Sequence, residues 1–226
     1  LNIPVVNVSG LNVAGADFPR VATDYNASAK LAMTHFQDRA LQNAAYVGPL
    51  QLFHVREHEL AFEATLTESG MTCHIFHPSS ELAHTVPAAI RDNELIPWLI
   101  NLPKPVGIFS WGYQLGRDIV SACRQADIPV PDDIAVLGGD YDALLSDACH
   151  PSLSGIITPA QQIGYRAATI LHEMIKGSPA PREPVFLQAE EIEERQSTDI
   201  MAIEDPLMLQ ALRFVRDNAC SGIGVD

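Results

Sequence analysis

Along this chain, short apolar runs alternate with longer stretches in which apolar residues recur every three or four positions. The runs are "IPVVNV", "AAYVG", "TCHIF", "PVGIFS", "DIAVLGG" and "LSGIIT", each of strand length. The helical periods cover 25–38, 57–69, 86–101, 112–126 and 159–176. Strands that alternate with helices predict an α/β fold with a parallel sheet. End signals agree. Thr158 and Pro159 read as a polar cap followed by a proline suited to a first helical turn, while Gly177 and Gly70 stand where two helices should stop. Asp205 and Pro206 open a last helix, "PLMLQALRFVRDNA", with an apolar stripe at Leu209, Leu212 and Val215. The acidic stretch "AEEIEER" predicts a solvated edge. The elements are unevenly spread. Residues 1–40 hold a strand or two and one helix, whereas 44–147 holds four consecutive βα units. A chain that starts in one lobe, crosses to a second and later returns produces this imbalance.

Composition adds limits. The chain has 226 residues, 47% of them apolar, and 28 acidic against 14 basic side chains, for a net charge of −14. That balance argues against this stretch gripping nucleic-acid phosphates, which takes clustered Lys and Arg, and favours a neutral or cationic small ligand or a protein partner. Cys73, Cys123, Cys149 and Cys220 form no C-x-x-C pair and read as small core hydrophobes in a reducing compartment. No apolar run reaches membrane-spanning length and no signal peptide opens the chain, so a cytoplasmic setting without membrane contact is expected. The chain starts at Leu1, without Met and directly on "IPVVNVS", which suggests a fragment.

The chemistry should gather where strands end. In open parallel sheets ligands bind beyond the carboxyl ends of the strands, and "VGPLQLFHVREH", "IFHPSS", "IFSWG" and "LGGDYD" would share that edge. Gly138 and Gly139 allow a sharp turn that projects Asp140, whose carboxylate can accept two hydroxyl hydrogen bonds. An Asx-turn that only closes the loop is the alternative, and the spacing leaves both open. "GIFSWG" carries Ser110 at a strand-to-helix bend and resembles a nucleophile elbow, with Asp140 and His150 or His172 following in hydrolase order. Ile108 occupies the position such an elbow needs small, and a single βα unit separates Ser110 from Asp140, so an enzyme is not expected. Ser110 and Trp111 serve equally as a hydroxyl partner and a flat platform for a ligand, with core packing the alternative for Trp111. "HVREH" matches the inverted zinc pattern H-x-x-E-H, but His54 reads as loop, and no third ligand is identifiable. Arg56 and His58 at a helix start beside the cleft, donating to polar ligand atoms, is the more economical reading. His74 and His77 read as structural or surface residues. Neither G-x-x-x-x-G-K-[ST] nor G-x-G-x-x-G occurs, and neither metal nor cofactor is expected.

The stretch "DIPVPDDIAVLGGDYD" (127–142) resembles a hallmark of the effector domains of lactose- and galactose-repressor-type regulators, which are similar to periplasmic sugar-binding proteins. "TDYNASAKLAMTHF" (23–36), "PSLSGI" and "IEERQSTD" (192–199) resemble further segments of that family in the same order. The tail "DPLMLQALRFVRDNACSGIGVD" (205–226) resembles the first helix of an arabinose-regulator-type helix-turn-helix domain, a fusion characteristic of xylose-operon regulators. The resemblance implies two doubly wound lobes, the first incomplete because the family's first lobe begins well before Leu1. Residues 1–42 and 152–181 would form the partial first lobe and 43–151 with 182–200 the second. Residues 201–226 would be a linker and the start of a truncated DNA-binding domain. Asp140 falls on the family's sugar-contacting aspartate, Ser110 and Trp111 on an Asn-Asp-like pair, and His58 where an arginine is usual, with Arg56 two residues earlier. A sugar effector, a homodimer and DNA bound through a domain absent from this chain are implied. Two other classes stay in view: a periplasmic-type sugar receptor, and a hydrolase using Ser110.

Overall fold

Five of the six apolar runs become strands. The computed structural model describes residues 3–9, 17–50, 52–79 and 88–200, together with helical Leu207, Met208, Ala211, Phe214, Val215 and Asn218. In chain order the first elements are β1 (Val21–Thr23), α1 (Tyr25–Gln37), β2 (Asn43–Val47), α2 (Phe53–Ser69) and β3 (Thr72–Phe76). A helical stretch follows, made of α3 (Ala88–Ile90), a π-helical turn (Arg91–Leu95) and α4 (Ile96–Asn101). Then come β4 (Val106–Ser110), α5 (Tyr113–Gln125), β5 (Ile134–Gly138), α6 (Ala143–Asp147) and β6 (Ser154–Ile157). The last are α7 (Ala160–Ile175), β7 (Val185–Leu187), β8 (Glu191–Glu193) and a 3₁₀ turn, Gln196–Thr198.

The strands form a six-stranded sheet of order β3-β2-β4-β5-β6-β8 and a two-stranded sheet, β1-β7. All pairs in the large sheet are parallel except β6 with β8. Alternate residues of its central strands enter two cores. Val47, Ile108 and Val136 pack with Leu99, Leu115 and Ile119 on one face. Tyr46, Phe109 and Leu137 pack with Phe36 and Phe62 on the other. Strands covered on both faces read as unbroken apolar runs, which is why these were visible in the sequence. The aromatic core is tight: the Phe62 and Phe109 ring centroids are 5.0 Å apart and those of Tyr46 and Phe109 6.1 Å. Gly107 fits this packing, because a Cβ there would lie 2.6 Å from the Phe36 ring.

Three expectations need correcting. "IPVVNV" forms no strand; Asn7 makes a single parallel bridge to Arg20. Helix α2 starts at Phe53 rather than 57, so His54 is helical and not in a loop. The lobe boundaries also shift. Segment 154–157, expected in the first lobe, pairs with β5 because buried Ile156 joins the Phe36–Phe109 core. Helix α1, expected in the first lobe, buries Ala29, Ala32 and Phe36 in that same core. Strand β7, expected in the second lobe, pairs with β1. The smaller sheet packs against α7 through Val21, Ala167 and Ile170.

The chain thus passes between the two sheets after β1, after β6 and after β7. At these passages the Asp24 amide donates to the Leu187 carbonyl at 2.7 Å and the Glu190 amide to that of Ile157 at 2.9 Å. The Asp24 side chain caps α1 by accepting from the Asn26 and Ala27 amides. "AEEIEER" supplies the edge strand β8. Pro159 precedes α7 without a side-chain cap, and Thr158 offers its carbonyl to Ala160. Leu209 and Leu212 lie outside the described residues, while Val215 is helical and exposed.

Candidate functional site

The strand order reverses between β2 and β4, where one crossover leads outward to β3 and the next returns to the opposite side. Such a reversal leaves a crevice beyond the carboxyl ends of the two strands. Here the Trp111 amide donates to the Val47 carbonyl at 2.8 Å, which closes the floor of the crevice. A cavity of about 150 Å³ lies above it. The large sheet contributes His58 from α2, Trp111 after β4, and Gly139 and Asp140 after β5. The passages between the sheets contribute Thr23 and Thr158, and α1 contributes Tyr25 and Ser28.

The tip 140–142 divides its three polar side chains among three tasks. Asp140 accepts the Tyr113 amide at 2.6 Å, at the first turn of α5, and lines the cleft. A carboxylate has about four acceptor sites, and the Tyr113 amide takes one of them. The Tyr141 hydroxyl accepts from the Arg195 guanidinium at 2.9 Å. Asp142 caps α6 by accepting the Leu145 amide. Gly139 is required by close approach: a Cβ there would fall 2.4 Å from the Trp111 carbonyl oxygen and 2.7 Å from that of Ser110, both rigid backbone.

His58 is 2% exposed, with Nδ1 2.9 Å from the Tyr46 hydroxyl oxygen. Burial, reinforced by the neighbouring His54, pushes its pKa down to about 3, so the ring is neutral. Burial likewise raises the Tyr46 phenol well above its ordinary value, with Glu59 and then Tyr25 adding to the shift. Trp111 is half-buried and stands edge-on to His58 at 5.2 Å, to His54 at 5.0 Å and to Tyr25 at 6.1 Å.

Of the five residues singled out from the sequence, Asp140, Trp111 and His58 share this cleft, and Ser110 and Arg56 do not line it. Ser110 is fully buried, with its hydroxyl 2.9 Å from the Gly112 carbonyl oxygen and 3.3 Å from that of Leu137. A hydroxyl sealed from solvent and turned to backbone carbonyls serves neither as a ligand partner nor as a nucleophile. Arg56 projects from the other side of α2, pairing with Glu59 and lying 3.8 Å from Glu63. There His77 Nε2 lies 3.6 Å from buried Glu59, whose carboxyl pKa is raised by burial against the opposing pull of His77 and Arg56. His54 and His58 share α2, but Glu57 pairs with Arg20 at 3.4 Å and His58 Nδ1 is engaged by Tyr46. Among the described residues no group of three His, Cys, Asp or Glu side chains could hold a metal ion. Sequence reasoning missed Thr23, Tyr25, Ser28 and Thr158. The signal was faint: the Asp-led helix at 24 and the Thr-Pro pair at 158 both mark points where the chain changes sheets.

A model of the periplasmic binding protein-like domain matches residues 33–198, and the chain belongs to that family. Among curated proteins it is 29% identical to the xylose operon regulatory protein of Haemophilus influenzae over 99% of the chain. It is likewise 29% identical to the protein of that name from Escherichia coli strain K12, over its whole length. It spans 59% of the length of each of these relatives. Its backbone superposes on the structure of a xylose-binding transcription activator with a TM-score of 0.84, at 27% identity, covering all of this chain and 60% of that one. These relatives are transcription regulators. Among the described residues, no helix is long and apolar enough to cross a membrane.

Proposed function

We propose that this chain is the effector-binding part of a sugar-responsive transcription regulator, and that its ligand is a neutral pentose of the xylose kind. The observation that carries this reading is the anchored Asp140 carboxylate, which lines a cleft together with Trp111 and His58 at the point where the chain passes between two sheets. Asp140 accepts from sugar hydroxyls, Trp111 presents a flat apolar edge to the C–H side of the ring, and His58 supplies a polar contact. Ser110 and Arg56 have no part in it.

The lobes are redrawn accordingly. One holds β1, α7 and β7, and the other the six-stranded sheet with α1 to α6. Residues 201–226 begin a segment toward a DNA-binding domain outside this chain. A sugar held at the junction favours the closed arrangement of the lobes, to the extent that its affinity differs between closed and open states. A route outward starts at Tyr141. Arg195 bonds its hydroxyl, and the Arg195 amide donates to Ser154 Oγ at 2.8 Å, which lies 2.7 Å from Thr198 Oγ1. Movement of the Asp140 tip is thereby felt in the segment leading to residue 200. The regulator acts in the cytoplasm as a homodimer, and it is not an enzyme. A thermal-shift screen of the full-length protein against neutral pentoses and hexoses tests this. D-xylose or a close relative should raise Tm at millimolar concentration; no shift with any neutral sugar would overturn the reading.

A further inference from the structure

One ion pair ties together two elements that line the cleft from different directions. Thr23 ends β1 of the small sheet, His58 lies on α2 of the large one, and both line the cleft. Arg20 stands three residues before Thr23 and Glu57 one residue before His58. Arg20 Nη2 is 3.4 Å from Glu57 Oε2. Of the ion pairs among the described residues, this one alone joins the small sheet to a helix of the large one.

Each partner is seated on its own side. Arg20 makes the bridge to Asn7, its carbonyl accepts the Val185 amide at 2.8 Å, and its guanidinium lies 5.8 Å from the Phe186 ring centroid. Glu57 is carried by α2, which packs on the large sheet through Val55, Phe62 and Leu66. Between the two the packing is open. A cavity of about 370 Å³ shares Thr23 and Tyr25 with the cleft and is lined also by Glu57, Leu60 and Phe186, from α2 and β7. Tyr25 feels both charges: burial raises its phenol pKa, Arg20 acts to lower it and Glu57 to raise it. The ion pair thus spans a gap that packing leaves, beside a ring that lines the cleft.

The cleft itself is small. Pockets for drug-sized ligands run to about 300–1,000 Å³, so 150 Å³ suits one small ring, and its width matters. We infer that Arg20 and Glu57 are positioning residues: their ion pair holds β1 to α2, fixes the separation of Thr23 from His58, and so sets the cleft width to a pentose. Neither side chain lines the cleft, so both act through the residues that follow them. This rests on the sugar-cleft reading above and adds the residues that set the size of the ligand.

Calorimetric titrations of D-xylose and D-glucose into the full-length protein test it. D-glucose is D-xylose with a hydroxymethyl group at C5, and so reports on width. Wild type should prefer D-xylose by at least about 10-fold. Glu57→Gln and Arg20→Met each remove a charge and keep most of the side chain's bulk. Each should weaken D-xylose binding about 2- to 5-fold, the range of a partly exposed ion pair. D-glucose should lose less, so that the preference narrows. The double variant should bind D-xylose as the single variants do, because the same pair is lost only once. Losses that add, an unchanged D-xylose affinity, or a preference that is absent in wild type or survives in the variants would each overturn the inference and leave the sugar reading intact. Wild type that binds neither sugar would defeat the sugar reading, and this inference with it.

Discussion

The two sheets are built to different depths. The large sheet has a core on each face, and Tyr46, Phe36, Phe62 and Phe109 are fully buried there. Among the described residues the small sheet has two strands of three residues, and its core is Val21, Ala167 and Ile170 with partly buried neighbours. Two strands with so little apolar cover gain most of their stability from what they lean on. The cleft is lined from the large sheet by His58, Trp111, Gly139 and Asp140 and from the passages between the sheets by Thr23 and Thr158.

The predictions press on that contrast. Phe62→Ala removes a ring packed against Phe36, Tyr46 and Phe109, and should cost about 3–5 kcal/mol in a urea melt. Acid should come next. His58 and His35 have pKa values held down at about 3 and about 4, both first by burial, against an ordinary 6.5. Because the unfolded chain takes up these protons first, stability should be full above pH ~6.5 and fall as pH drops towards ~4, by about 2 kcal/mol per histidine at pH ~5. His35→Gln should remove its share of that loss; a melt insensitive to pH between ~6.5 and ~5 would contradict the burial of both rings. Gly139→Ala forces a methyl against the Ser110 and Trp111 carbonyls and should cost about 1–3 kcal/mol while weakening sugar binding through displacement of Asp140. Ile170→Val, in the smaller core, should cost only about 0.5–1.5 kcal/mol. A loss as large as that of Phe62→Ala would show that the lighter lobe is not light.

Much of this was legible in the sequence, for a physical reason. Strands β2, β4, β5 and β6 are buried on both sides or nearly so, and their apolar runs stand out, while β3 at the sheet edge is only partly buried. Strands β1, β7 and β8 are three residues each, too short for any periodicity to register, and so the paths between the sheets were misplaced. Helix α2 starts early without a side-chain cap at Leu52, which hid His54 from view as a helical residue. In the site, Asp140 was marked by the glycines before it and Trp111 by its place after a buried strand. Ser110 sat beside them in sequence but points into the core, because side chains alternate along an extended chain and Trp111 takes the opposite face. Tyr46 was read only as part of a strand. Its hydroxyl meets a partner twelve residues away, and no local pattern announces such a pair.

The most direct measurement is a calorimetric titration of D-xylose into the full-length protein and its Asp140→Asn variant. Replacing a charged acceptor by a neutral one should weaken binding roughly 10- to 150-fold, the equivalent of ~1.5–3 kcal/mol, with the fold unchanged by circular dichroism. Equal affinity in the two proteins would mean that Asp140 holds only the start of α5, and the account of this cleft as a sugar site would be contradicted.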